Sequence, residues 1–267
     1  MKYFVKLLKW LNLYNQRFPK KIFNSRLMMV NPEDHIQRQL FWYGKYEDEA
    51  MRYLEKIITP KSVVFDVGAN VGYFSLVSSK LAYEGIVHAF EPVAIIREQL
   101  LENIAINRVN NVFVHPYAVS NKSVKGAMEI ASRQNIGMSR LIAPADGHST
   151  EEKVEVIALD EWVKTNEITI VDLVKIDAEG SEFNILDGMR NLLLEMRPVL
   201  LLEIVTGQLA LYGANAVMIY ELLHNYKYKA FIPMRGNNLR EADFGEEGYT
   251  VFFFPAPIRN WELGIGN

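Results

Sequence analysis

Acidic residues recur in this chain where an apolar run gives way to a turn, and their spacing suggests chemistry. The first is Asp66 in Val63-Val-Phe-Asp66-Val-Gly68-Ala69-Asn70-Val-Gly72-Tyr73-Phe-Ser75. Glycines at 68 and 72 let the backbone turn sharply and let a ligand approach it closely. The dinucleotide fingerprint Gly-x-Gly-x-x-Gly is not met, because Asn70 and Tyr73 take its second and third glycine positions, and no Gly-Lys-Ser/Thr phosphate loop is present. A carboxylate at the strand's end suits a cationic amino group and repels a pyrophosphate. S-adenosylmethionine (SAM), which carries an α-ammonium and a sulfonium, matches that preference. A second acid, Glu91 in His88-Ala-Phe-Glu91-Pro92, ends the next apolar run, where it is placed to take the two ribose hydroxyls of a nucleoside. The third run exits through His115-Pro-Tyr-Ala118, a natural place for adenine contacts. The expected cofactor residues are therefore Asp66, Gly68, Ala69, Asn70, Gly72, Tyr73, Glu91, Pro92 and Ala118.

The second informative stretch is Lys175-Ile-Asp177-Ala-Glu179-Gly180-Ser181-Glu182. Lys175 and Asp177 lie two apart, hence on one face of a strand otherwise suited to burial. Buried charges cost several kcal/mol (roughly) unless they are paired or functional, so this is either a catalytic group or a structural ion pair. Glu179 and Gly180 form the turn, with Ser181 as the cap of a helix from Glu182. A further carboxylate, Glu203, ends Val199-Leu-Leu-Leu-Glu203. If the two strands are neighbours, Asp177, Glu179 and Glu203 converge beside the cofactor. Methyl transfer requires in-line positioning of a nucleophile, and a hydroxyl nucleophile must also lose its proton to a nearby base. Glu179, on the turn, has the freest reach for that proton, while Asp177 would hold the amino-acid end of SAM or orient Lys175. Such carboxylates could instead hold Mg²⁺, but no recognisable metal motif accompanies them and no metal is expected. The five histidines are scattered, and none is a first choice for the base.

Positioning these groups takes alternating strands and helices. Apolar runs at 62–67, 86–90, 112–115, 168–176, 199–204, 228–233 and 249–254 read as strands. Several are apolar on both faces, as a sheet covered on both sides requires. Helical periodicity fills most gaps, at 46–58, 73–82, 95–107, 182–196 and 216–225. The expectation is one doubly wound α/β domain over residues 44–267, with a mostly parallel, seven-stranded Rossmann-like sheet and ligands at the carboxyl ends of its strands. Strand-like pieces at 124–130 and 154–158 suggest a hairpin insertion over the upper edge of the sheet, helping to shape a pocket. Residues 1–43 read as a basic, amphipathic helical extension, with its helix at 3–14.

The chain has 267 residues and no cysteine, which excludes disulfides, thiolate metal sites and cysteine nucleophiles. No apolar run approaches the length of a spanning helix and no signal peptide is evident, so a cytoplasmic location is expected. Seven of the 29 basic residues fall in 1–32, where there is no acidic one; the remainder carries 22 against 32 acidic residues, a net −10. An acidic body argues against a nucleic-acid partner. The basic arm could pack on the domain, form a homodimer contact or touch an anionic membrane surface peripherally.

With these residues in hand, the chain resembles the FkbM-type methyltransferases, a branch of the class I SAM-dependent fold. The likeness runs from Gly44-Lys-Tyr-Glu47 to Val251-Phe-Phe-Phe-Pro255. It rests on the motifs around Asp66, Glu91 and Lys175, together with Asn135-Ile-Gly137 and Ile157-Ala-Leu-Asp160. The resemblance implies O-methyl transfer to a hydroxyl of a sugar, a glycolipid or polysaccharide, or a secondary metabolite, with Asn135 joining the cofactor residues. Two alternatives stand beside it: an inactive SAM-fold partner subunit, and a methyltransferase acting on protein or RNA. No Pro-Pro pair is present for a base-directed amine methyltransferase motif.

Overall fold

The computed structural model describes residues 16–131, 136–142, 151–236 and 238–257; the helix expected at 3–14 and Asn135 lie outside the described residues. In chain order, β1 (Phe18–Lys21), β2 (Leu27–Val30), α1 (His35–Tyr43) and α2 (Asp48–Ile57) precede the alternating part. It begins with β3 (Val63–Val67), α3 (Tyr73–Leu81), β4 (Ile86–Phe90), α4 (Ala94–Ile106) and β5 (Val112–His115). Then come β6 (Tyr117–Ser120), β7 (Val124–Glu129), β8 (Arg140–Ile142), β9 (Glu151–Ala158) and α5 (Leu159–Thr165). The last third holds β10 (Leu173–Ile176), α6 (Glu182–Asp187), α7 (Arg190–Glu195), β11 (Val199–Ile204), α8 (Thr206–Leu209) and α9 (Ala216–Asn225). It closes with β12 (Tyr228–Met234), β13 (Asn238–Glu241) and β14 (Tyr249–Pro255).

The main sheet has the order β13-β12-β14-β11-β10-β3-β4-β5. Its five strands from β11 to β5 are parallel, whereas β14, β12 and β13 join by antiparallel pairing. The sheet is thus mixed, with eight strands among the described residues rather than seven. The added strand, β13, is a short, largely exposed edge that pairs with the end of β12, and such a segment has no apolar run to signal it. Helices cover both faces. Tyr53, Leu54, Leu76 and Leu100 belong to the core on the side of α2, α3 and α4, while Trp162, Ile185, Ile219 and Leu223 belong to the other.

The insertion is larger than a hairpin. β7 and β9 pair antiparallel as expected, and β6 and β8 extend them into a separate sheet of order β6-β9-β7-β8. The helix expected at 182–196 is two helices that meet at Gly188 and Met189, where Gly188 lies against the backbone of Ser120 and Asn121: a Cβ there would come within 2.3 Å of the Ser120 oxygen. The described part of the N-terminal extension is not purely helical. β1 and β2 form an antiparallel hairpin that docks on α4, where Leu27 and Met29 amides donate to Asn107 and Asn103 at 2.8 Å each. Arg17 is ion-paired to Glu102, so part of the arm's basic charge is met within the domain.

Side-chain alternation then decides which residues can meet. On β3, Val64 packs into one core and Phe65 and Val67 into the other, which leaves Asp66 on the Val64 side. The same alternation puts Lys175, Glu203 and Thr250 on that face of β10, β11 and β14. Register aligns them across the sheet: Lys175 is opposite Asp66, and Glu203 is opposite Thr250.

Candidate functional site

A cavity of about 260 Å³ opens where the strands end, between the main sheet and the β6–β9 sheet. Asp34 lines it from the N-terminal flank; in sheet order the rest of the lining begins with Asp177, Glu179 and Glu203 beyond β10 and β11. The middle is formed by Gly68 and Asn70 together with Glu91 and Pro92. Beyond these the walls turn apolar, with Phe90, Val93, Ile96, Ala118 and Met128. A small annex of about 50 Å³ shares Tyr46, Gly68, Asn70, Asp177 and Glu203 with the main cavity and adds Glu47, Ala69, Tyr73, Lys175 and Thr250.

The turn after β3 is built tightly. Gly68 has φ +72°, and a Cβ on it would sit 1.9 Å from the Asp177 oxygen. Asn70 also takes a left-handed backbone, φ +50°, which asparagine tolerates better than most residues. Gly72 is a packing glycine: its missing Cβ leaves room for Leu100, and it lines neither cavity. Gly68→Ala is expected to cost about 1–3 kcal/mol through this strain. Chemical denaturation would show it, and a loss below about 0.5 kcal/mol, the scale of an ordinary surface change, would contradict the close approach.

Glu91 closes β4, and its carboxylate accepts from the backbone amides of Asn70 and Val93, each at 2.9 Å. Burial pushes it up to about 7, although those two amides, Lys175 and Arg97 pull the other way. Asp66 sits where strand alternation requires, but it has no exposed surface and lines neither cavity. Its carboxylate accepts from Ser75 Oγ and lies 3.4 Å from Lys175 Nζ. Lys175 Nζ also donates to the Gly68 carbonyl at 2.8 Å and lies 3.3 Å from Asp177. Burial alone would lower the Lys175 pKa. The charges of Asp177, Asp66 and Glu47 outweigh it and hold the ammonium above its ordinary value.

Glu179 stands on the turn after β10 with φ +52°, followed by Gly180 at +106°. Its carboxylate accepts from Gln208 Nε2. Burial first, then the charges of Asp177 and Glu182, push it up to about 8. Glu203 is pushed up further, by burial and then by Asp177, Glu47 and Glu179. The expected cap by the Ser181 hydroxyl is not made; Glu182 Oε1 ties the turn instead, accepting from Ala178 at 2.9 Å and Gly180 at 3.2 Å. His88 and His115 hydrogen-bond to each other at 3.0 Å and pack on Trp162, outside the cavity lining. Among the described residues no group of three potential ligands is arranged to hold a metal ion, and no helix is long and apolar enough to cross a membrane.

The structure thus brings together Glu179, Asp177, Glu203 and Lys175, and beside them Asn70 and Glu91. It adds Glu47, Thr250 and Gln208, which sequence reasoning did not single out. Glu47 was within reach of that reasoning as the end of Gly44-Lys-Tyr-Glu47, yet helical periodicity counts it into the helix expected at 46–58.

Comparison with known proteins gives these residues a family context. The profile of the methyltransferase FkbM domain matches residues 66–230. The chain is 28% identical over 163 residues to the 31-O-demethyl-FK506 methyltransferase FkbM of Streptomyces tacrolimicus, covering 50% of this chain and 62% of that protein. It is 29% identical over 147 residues to the hexuronic acid methyltransferase AglP of Haloferax volcanii, covering 55% of this chain and 58% of that protein. The chain therefore spans about three fifths of the length of these curated relatives. Among solved structures, the methyltransferase FkbM from Methylobacillus flagellatus KT superposes with a TM-score of 0.48 at 16% identity, over 73% of this chain and 44% of that one.

Proposed function

Since this chain belongs to the methyltransferase FkbM domain family, we propose that it is a SAM-dependent O-methyltransferase acting on a hydroxyl of a sugar, a glycolipid or polysaccharide, or a secondary metabolite. The observation that carries this reading is the order of the main cavity's lining along the sheet, from carboxylates beyond β10 and β11, past Glu91 after β4, to apolar side chains. The donor set fits SAM in each part. Carboxylates at Asp177 and Glu203 suit its cationic end, Glu91 retains lone pairs for ribose hydroxyls, and the slot of Val93, Ile96, Ala118 and Met128 suits an adenine ring. A phosphate-bearing cofactor would meet the carboxylates unfavourably.

Bound there, SAM supplies an electrophilic methyl group on its sulfonium. The chain's own part is to orient the acceptor and to take its proton. Asp66 is too deeply buried to touch the cofactor; it holds Lys175, which in turn fixes the Gly68 turn and Asp177. Glu179, near neutrality in its protonation and open to the cavity, is the base for the acceptor hydroxyl. An oxygen acceptor is favoured because one relative is named for methylating 31-O-demethyl-FK506 and another for methylating a hexuronic acid.

The reading is tested in two steps. SAM at one hundred times its Kd should stabilise the fold by about 2.7 kcal/mol, read as a rise in Tm, and Glu91→Gln should weaken that binding. Methyl-labelled SAM incubated with fractionated glycans and metabolites should then transfer label to an alkali-stable ether. Absence of any SAM-induced rise in Tm would dismiss the reading; label on an amine or on protein would reassign the acceptor.

A further inference from the structure

The N-terminal flank of the domain sends one more carboxylate into the site. Glu47 precedes α2 in the capping position, where an acidic side chain ordinarily accepts from the first amides of its own helix. It makes no such bond, and its backbone is held in the left-handed region at φ 47°, ψ 47°, which a residue with a side chain adopts only under constraint. The side chain reaches across the fold instead, and Glu47 Oε1 accepts from Thr250 Oγ1 at 2.6 Å. Thr250 is the residue opposite Glu203 in the antiparallel pair β11–β14, so the two side chains stand next to one another on one face of the sheet. The tether therefore brings Glu47 to Glu203, in an annex that Asp177 and Lys175 also line.

We propose that Glu47 is a positioning residue of the transfer site: held by Thr250 beside Glu203, its charge helps to set the pH at which Glu203 ionises. Two negative charges this close cannot both be carried cheaply in a partly buried site with one ammonium, so removal of either changes the proton affinity of the other. The groups facing Glu203 are Asp177, Glu47 and Glu179, with the Tyr46 phenol nearby; those facing Glu47 are Asp177, Lys175 and Glu203, with the phenols of Tyr46 and Tyr73 nearby. Glu47 also lies outside the segment matched by the family profile, so this part of the site belongs to the flank rather than to the matched domain. The inference rests on the methyltransferase reading for its meaning, though not for its test.

The test is a carbon NMR titration of protein labelled at the glutamate carboxyl carbon, with Glu203→Gln and Glu91→Gln assigning those two signals. In Glu47→Gln, where the amide oxygen still accepts from Thr250 and only the charge is lost, the Glu203 midpoint is expected to fall by about half a unit or more. Thr250→Val, which frees the Glu47 charge to swing away, should lower it in the same direction by less. The Glu91 signal should stay in place in both variants. An unmoved Glu203 midpoint in Thr250→Val and Glu47→Gln overturns the proposal, and so does an unmoved midpoint in Thr250→Val if Glu47→Gln does not fold. Calorimetry with S-adenosylhomocysteine on the unsubstituted protein is read separately: failure to bind dismisses the methyltransferase reading and leaves the carboxylate coupling to the titration.

Discussion

Replacing Glu179 by glutamine should leave SAM affinity within a few-fold of the parent and slow methyl transfer by about 10²–10⁴-fold, the scale of a lost general base. The residue is held for such a role by its backbone. Glu179 and Gly180 both have positive φ, and Gly180 lies so close to the Gln208 backbone that a Cβ would come within 2.4 Å of its oxygen. The turn therefore has little freedom, and Glu179, its carboxylate fastened to Gln208, lines the cavity. A folded-state pKa near 8 means that the base-competent form grows as pH rises through that value. Turnover should therefore climb along an alkaline limb in the parent protein, and Glu179→Gln should lack that limb.

Stability should move the opposite way. Between the ordinary value of 4.5 and about 8, the folded protein holds a proton on Glu179 that the unfolded chain has released. The group's contribution is thus greatest at low pH and is lost as pH rises through about 8, so the glutamine variant should gain in Tm over the parent at alkaline pH. A variant that is both slower and more stable would mark a residue kept for function against stability. Activity within a factor of a few of the parent on a verified acceptor would remove Glu179 from the role.

Lys175 and Asp177 are legible in the sequence as one face of a strand because alternation is local, and Glu203 follows once two parallel strands are taken as neighbours. Asp66 is legible as an acid near a strand's end, but its direction is not. Burial under α3, where Ser75 meets it, depends on packing that no motif encodes, and it sets the carboxylate against Lys175. Glu47 and Thr250 are 203 residues apart and meet only because β14 runs antiparallel beside β11. In the fold, the parallel core announces itself through runs apolar on both faces. The edge strand β13, and the strands β6 and β8 that extend the β7–β9 hairpin into a sheet, are only three or four residues long, and such short segments look like loops until partners are known.

The largest effect on stability is expected from Lys175→Met, a loss of about 3–5 kcal/mol, the usual cost of stranding a buried charge. Asp66 has no exposed surface; burial raises its pKa, and the charge of Lys175 is the strongest influence opposing that rise. Removing the ammonium also leaves the Gly68 carbonyl and Asp177 without their donor. The double variant Asp66→Asn/Lys175→Met should recover most of the loss, since it removes the stranded charge along with its partner. The pH dependence has a definite sign. In Lys175→Met the Asp66 carboxyl is pushed further above its unfolded value of 3.8, and protonating it relieves the cost. The deficit relative to the parent should accordingly be smaller at about pH 5 than at about pH 8. Urea denaturation of the parent and the two variants at both pH values measures this. A Lys175→Met deficit below about 1 kcal/mol, the range of an exposed pair, would mean that the ammonium is solvated rather than committed to Asp66. SAM binding completes the test, because the single variant Asp66→Asn distinguishes a ligand of the cofactor from a support behind it. Unchanged Kd with lowered Tm assigns Asp66 to Lys175. A Kd weakened ten- to hundredfold at unchanged Tm, about the 1.5–3 kcal/mol of a charge-assisted contact, would place the cofactor's ammonium on Asp66 itself.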